Sequence, residues 1–98
     1  MYNDFMSFEW DPNKNKINIK KHNLSFEESV PLFDKPHLTK VSQGNYKETR
    51  YISIGALNKN SIILIVYTKR NKSIRIISAR IAKKKERKSY HDHIKKTA

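Results

Sequence analysis

The sequence predicts an α+β domain with helices and strands segregated along the chain, and three observations carry that reading. Helix start and stop signals crowd into the stretch before Asp34. Alternating or continuous apolar runs, separated by short polar turns, fill Leu38 to Ala79, and the stretch from Ala82 to Lys96 is polar, basic and of helical length. The expectation is an antiparallel sheet of about four strands packed by two N-terminal helices, with a basic helix at the C-terminal end, all in one domain spanning 1–98.

Each element has a local reason. Ser7 to Trp10 is short and aromatic and predicts a first strand; Asp11-Pro12 then opens a helix, because Asp caps free amides and Pro fits the first helical position. That helix runs to about His22, where Asn23 suits the left-handed residue that closes it. Ser25-Phe26-Glu27-Glu28 is a capping box for a second short helix ending near Phe33, with a kink or early stop at Pro31. Trp10, Ile17 and Leu24 are expected in the core, with Asp11 and Lys14 on the surface.

Leu38 to Ser42 alternates weakly, and Gly44-Asn45 marks a turn. Arg50 to Leu57 sets Ile52, Ile54 and Ala56 on one face and Tyr51, Ser53 and Gly55 on the other, so one face is expected buried and one available. Asn58-Lys59-Asn60 turns the chain into Ile62 to Tyr67, apolar throughout as the centre of a sheet should be. A polar turn from Lys69 to Ser73 leads to the strand Ile74 to Ala79. The closing helix has few apolar anchors beyond Tyr90 and Ile94, which predicts loose attachment or a partner.

Composition narrows the function. A chain of 98 residues buries a modest core, and with no cysteine it has neither disulfides nor a thiolate zinc site, so a reducing, cytoplasmic setting is expected. Met1 to Trp10 carries Asp4 and Glu9 and no long apolar run, unlike a signal peptide or a membrane span. The net charge is +12, from 21 Lys and Arg against 9 Asp and Glu. Residues 1–49 balance at 7 Lys and 7 acids, whereas 14 bases from Arg50 onward face only Glu86 and Asp92. A one-sided excess of this kind is the footprint of a polyanion-binding surface, and RNA or DNA is the natural partner.

Several blocks taken together resemble a known family. They are Phe8-Glu9-Trp10-Asp11, Lys21-His22, Ser25-Phe26-Glu27-Glu28, Phe33-Asp34, Glu48-Thr49-Arg50, Tyr67-Thr68-Lys69-Arg70, Arg75 through Arg80, and Glu86-Arg87-Lys88-Ser89-Tyr90. In this order and spacing they look like the signature of BrnT toxins, with Asn23 where family members usually have Gly. The resemblance implies a RelE-like fold, growth arrest through RNA cleavage, and neutralisation by a cognate BrnA-like antitoxin. Such antitoxins carry a DNA-binding segment, so the pair would also bind operator DNA.

RNA is cut without a metal when its own 2′-hydroxyl attacks the adjacent phosphate, so the protein must hold the strand in line, stabilise added negative charge and move protons. Arginine suits the charge role because its planar fork binds phosphate oxygens in pairs. Arg70 and Arg80 are the expected transition-state cations, with Arg50 positioning the backbone. Tyr67 is a candidate to stack on a base or donate a proton, and His22 a candidate general base. Arg75, Lys69, Lys72, Arg87, Tyr90 and Tyr51 are candidates for holding RNA, and period-two alternation predicts that Arg75 and Arg80 point to opposite faces.

His91-Asp92-His93 has no third histidine nearby, and Gly44 and Gly55 are too far apart to form a phosphate-cradling loop, so neither a metal nor another cofactor is expected. The alternative to an endoribonuclease is a non-enzymatic basic module that binds nucleic acid or an acidic protein partner.

Overall fold

The computed structural model describes residues 7–44 and 46–97. Their order is β1 (Ser7–Glu9), α1 (Pro12–His22), α2 (Phe26–Ser29), a 3₁₀ turn (Val30–Asp34), β2 (Leu38–Val41), β3 (Arg50–Asn58), β4 (Ser61–Arg70), β5 (Ser73–Ile81) and α3 (Lys84–Thr97). The α+β class holds, with a correction to the sheet. It has five strands in the order β1-β5-β4-β3-β2, and it is mixed, because β1 runs parallel to β5. Connecting β1 to β5 through the whole intervening chain is what allows parallel pairing, which a tight hairpin cannot make. The second N-terminal helix is a single turn, since Pro31 lacks the amide that an α-helix would need and the chain tightens into 3₁₀ geometry.

The predicted caps are present. Asp11 accepts from the Asn13 amide at 2.8 Å, and Asn23 closes α1 at φ 54°. Ser25 and Glu28 exchange the two bonds of a capping box. These short elements carry Leu24, Phe26 and Leu32 onto one face of the sheet, against Ile63, Ile65, Ile74, Ile76 and Ala79. Trp10 and Phe33 pack at the border of that cluster. Gly55 permits the approach: a Cβ there would lie 2.7 Å from Leu32 Cδ1. Both faces of β3 are therefore covered, Ser53 and Gly55 by the N-terminal elements and Ile54 by α3, whereas the alternation alone had left one face available.

Helix α1 corrects another expectation. Ile17 is 63% exposed, and the buried positions of the helix are Asn15 and Asn18. The helix lies along β5 beyond the last residue that β1 pairs, where strand backbone would otherwise stay open inside the protein. The Asn18 amide closes it, donating to the Ala79 carbonyl at 2.7 Å and to the Leu24 carbonyl at 2.8 Å while accepting from the Ala79 amide at 3.2 Å. Asn15 accepts from the Phe26 amide at 2.9 Å and donates to Glu27. A helix that must satisfy backbone turns its polar stripe inward, and the isoleucines face out.

On the opposite face, Tyr90 of α3 joins Ala82, Ile54 and Leu64, with Ile94 beside them. Arg80 holds the start of this helix through two bonds of 2.9 Å to the Glu86 carboxylate, which also accepts from the Lys83 amide at 2.7 Å. The expected loose attachment is thus replaced by an apolar anchor and a bidentate ion pair. No helix among the described residues is long and apolar enough to cross a membrane.

Two outcomes follow for stability. Asn18→Leu leaves the Ala79 amide and carbonyl and the Leu24 carbonyl without a partner, and is expected to lower unfolding free energy by about 3 kcal/mol in urea titrations. Glu86, held at about 2 by its bonds to Arg80, contributes stability present above pH 4.5 and lost as pH falls towards 2. The stability gap between parent and Glu86→Gln should therefore be full at pH 6 and close progressively through that window.

Candidate nucleic-acid interface and active site

Helix α3 covers only one end of its face of the sheet, over Ile54 of β3 and Leu64 of β4. Four residues further along β4, about 13 Å away, the same face lies beyond the residues that α3 packs on. There the strand register sets Arg50 of β3, Thr68 of β4 and Arg75 of β5 side by side. Lys14 from the first turn of α1 and Tyr46, Lys47 and Glu48 from the segment before β3 wall this region, with Arg70 and Ile77 completing it, around a cleft of about 380 Å³.

Among the described residues five cations line the cleft, Lys14, Lys47, Arg50, Arg70 and Arg75, against one carboxylate, Glu48. Arg70 is engaged: its guanidinium donates to both oxygens of Glu48 at 2.7 and 3.2 Å. Those bonds hold the Glu48 carboxyl below the usual carboxylate range and push Arg70 up. Arg50 lies with its guanidinium carbon 4.1 Å above the Tyr46 ring. Among the described residues Arg75 pairs with Glu9 at 3.9 Å, and Arg50 and Arg75 both act on the Glu48 charge at longer range. Neither Arg50 nor Arg75 makes a side-chain hydrogen bond among the described residues. Between them, Thr68 is 4% exposed and its Oγ1 is the buried side-chain polar atom that lacks a hydrogen-bond partner among the described residues.

The expected site residues are divided by this geometry. Arg50, Arg70 and Arg75 come together in the cleft. Arg80 does not, and its orientation is a correction. Val66 pairs with Ser78 but Tyr67 with Ile76, so Ile77 is an extra residue in β5 that resets the alternation. Arg75 opposite Thr68 and Arg80 opposite Leu64 therefore share a face, and Arg80 is occupied by Glu86 about 13 Å from the Arg75 row. Tyr67 is a second correction: it is 3% exposed on the core face, its hydroxyl 2.8 Å from Ser53 Oγ, and burial pushes the phenol up. Tyr51 stacks on it at 5.7 Å, and Lys69 covers the Tyr51 ring at 4.6 Å, both away from the cleft. Tyr90 is a core anchor of α3. Arg87 donates to the Ala82 carbonyl at 2.8 Å, and Lys72 is exposed at the β4–β5 turn. His22 ends α1, about 12 Å along the helix from Lys14.

Lys14, Tyr46, Lys47, Glu48 and Thr68 are cleft residues that the sequence reading did not single out for chemistry. The β4–β5 turn alone carries a signal for Thr68, because pairing outward from Arg70 and Ser73 sets Thr68 beside Arg75. Nothing local marks Lys14, which is brought in by the way α1 lies along β5.

Residues 10–86 match the sequence model of the family described as the ribonuclease toxin, BrnT, of type II toxin-antitoxin systems. The 1.1 Å crystal structure of the Brucella abortus ribonuclease toxin BrnT superimposes with a TM-score of 0.61 at 28% identity, covering 81% of this chain and 99% of that one. No curated protein matches the chain in sequence. With most of its length, from Trp10 to Glu86, inside that family match, the chain belongs to the BrnT family, the ribonuclease toxins of type II toxin-antitoxin systems.

Proposed function

We propose that the chain, acting as one domain across 1–98, cleaves RNA endonucleolytically and without a metal in the cleft between α1, the segment before β3 and the β3–β4–β5 row. The observation that carries this reading is that, among the described residues, five cations and one carboxylate line the same cleft. Such a donor set repels divalent cations and gathers phosphates. The Tyr46 ring, 42% exposed, offers a base a surface to stack on.

In this reading the 2′-hydroxyl attacks the adjacent phosphorus, the new O2′–P bond forms and the P–O5′ bond breaks. Glu48 takes the 2′-hydroxyl proton. Like any carboxylate it is ionised at neutral pH; Arg70 holds it below the usual carboxylate range, and its basicity rises when the incoming phosphate draws Arg70 away. Arg50, Arg70 and Arg75 carry the charge that builds on the phosphorane oxygens, and Lys14 or Lys47 gives a proton to the departing O5′. Growth arrest in the cytoplasm follows from loss of RNA. A BrnA-like antitoxin that lays acidic side chains over the cleft would silence it, and the complex would bind operator DNA through the antitoxin. The RelE-like character of the fold belongs to the same proposal, supported by helices on a largely antiparallel sheet with an arginine-lined face.

Incubation of purified chain with end-labelled RNA in EDTA tests the proposal. Cutting is expected to persist in EDTA; its loss there, with recovery on adding a divalent ion, would overturn metal independence. Glu48→Gln is expected to lower kcat/KM by about 100-fold or more while tightening binding of an uncleavable strand, since a negative charge leaves the cleft and Arg70 is released. The acid limb of the parent's kcat/KM should lie below pH 4.5, the ordinary carboxylate value, and be absent from the variant. A Glu48→Gln variant that cuts like the parent removes Glu48 as the base.

A further inference from the structure

We infer that the cross-strand row Arg50–Thr68–Arg75 is a phosphate subsite in which the Thr68 hydroxyl donates to a non-bridging oxygen while the two guanidiniums close on the anion from either side. The inference deepens the ribonuclease reading and rests on it for the identity of the anion, an RNA phosphodiester.

Three independent features converge on this row. The register makes Arg50 and Arg75 the immediate lateral neighbours of Thr68 on the open face. Neighbouring strands lie about 4.8 Å apart, so the two arginines spring from backbones about 10 Å apart with the hydroxyl midway. Both side chains are long enough to reach the middle of that span, where their like charges repel unless an anion sits between them, each fork presenting paired donors. The second feature is what the cations lack. Arg70 and Arg80 are each bound by both oxygens of a carboxylate, whereas among the described residues Arg50 rests on a tyrosine face and Arg75 has its nearest carboxylate, Glu9, at 3.9 Å. The third is Thr68 Oγ1 at the floor of the cleft, buried and without a hydrogen-bond partner among the described residues, so that an anion reaches it as the side chains above it part. A buried hydroxyl without a partner costs folding free energy, and a valine of nearly the same shape would remove that cost. The group is therefore explained by a bound state in which the donor is used.

The row also orders the chemistry around it. Arg70 follows Thr68 by two residues on β4, on the same face, and brings Glu48 with it. A phosphate held over Thr68 thus has Arg70 and Glu48 on the side towards the end of β4 and Ile77 on the side towards α3.

The test uses the full chain and a 2′-O-methyl RNA oligonucleotide, which binds but has no free 2′-hydroxyl to attack. Thr68→Val should bind it roughly tenfold or more weakly than the parent, as expected for a lost hydrogen bond to a charged group, and should at the same time melt a few degrees higher. Thr68→Ser, which keeps the donor, should bind within about twofold of the parent. Opposite movement of affinity and melting temperature is a signature that a purely structural threonine cannot give. Equal binding by parent and Thr68→Val overturns the inference, as does a Thr68→Val variant that loses affinity and melts lower. Failure of this subsite and failure of the ribonuclease reading separate cleanly. A parent that cuts RNA, with Thr68→Val cutting and binding equally well, removes the subsite and leaves the nuclease. A parent that never cuts, but whose oligonucleotide affinity depends on the Thr68 hydroxyl, supports the subsite and removes the nuclease proposal.

Discussion

The structure turns on one extra residue in β5. By inserting Ile77 where Tyr67 and Val66 pass from one partner to the next, the strand keeps Ile74, Ile76 and Ala79 on the core face and Arg75 and Arg80 on the other. Without the bulge the alternation would drive the Arg80 side chain towards the core and turn Ala79 outwards. Two further contacts depend on this phase. Ala79 offers its backbone to the Asn18 amide, which fixes α1 along the sheet edge, and Arg80 reaches Glu86, which fixes the start of α3.

From those two anchors comes a division of labour among the arginines. Arg80 and Glu86 neutralise each other at the covered end of the sheet face, beside the apolar contact of Tyr90 with Ile54 and Leu64. At the other end α1 contributes Lys14, the segment before β3 contributes Lys47 and Glu48, and Arg50 and Arg75 have no carboxylate in hydrogen-bonding range among the described residues. The same face is therefore a core at one end and a cationic cleft at the other. Packing of α3 over Ile54 and Leu64 sets the boundary of the apolar end.

Much of the architecture was legible because it is encoded locally. The caps at Asp11, Asn23 and Ser25 are short-range hydrogen bonds, and the apolar run of β4 marks a strand buried on both faces. What escaped was phase and tertiary partnership. A hairpin paired outward from Asn58 and Ser61 would set Arg50 opposite Lys69; the register shift between Ala56 and Asn58 sets it opposite Thr68 instead. The shift at Ile77 likewise reverses Arg80. Ile17 looked like core because it is apolar on a helix, but the helix was needed to satisfy backbone and its asparagines went inward. Tyr67 and Tyr90 looked like nucleic-acid contacts and are packing residues, which composition does not distinguish. Charge asymmetry drew attention to the second half of the chain, yet Lys14 and Lys47 of the cleft come from the first.

The central claim is that RNA is engaged at the open end of the sheet face and not along the exposed basic residues of α3. The most direct measurement is an NMR titration of isotopically labelled chain with uncleavable RNA, following the Arg Nε–Hε and backbone amide signals. The account predicts large shifts at Arg50, Thr68, Arg70 and Arg75, with Arg80 held by Glu86 and the outer face of α3 little changed. Shifts concentrated on Lys84, Lys85, Lys88 and Lys95, with Arg50 and Arg75 unmoved, would contradict it.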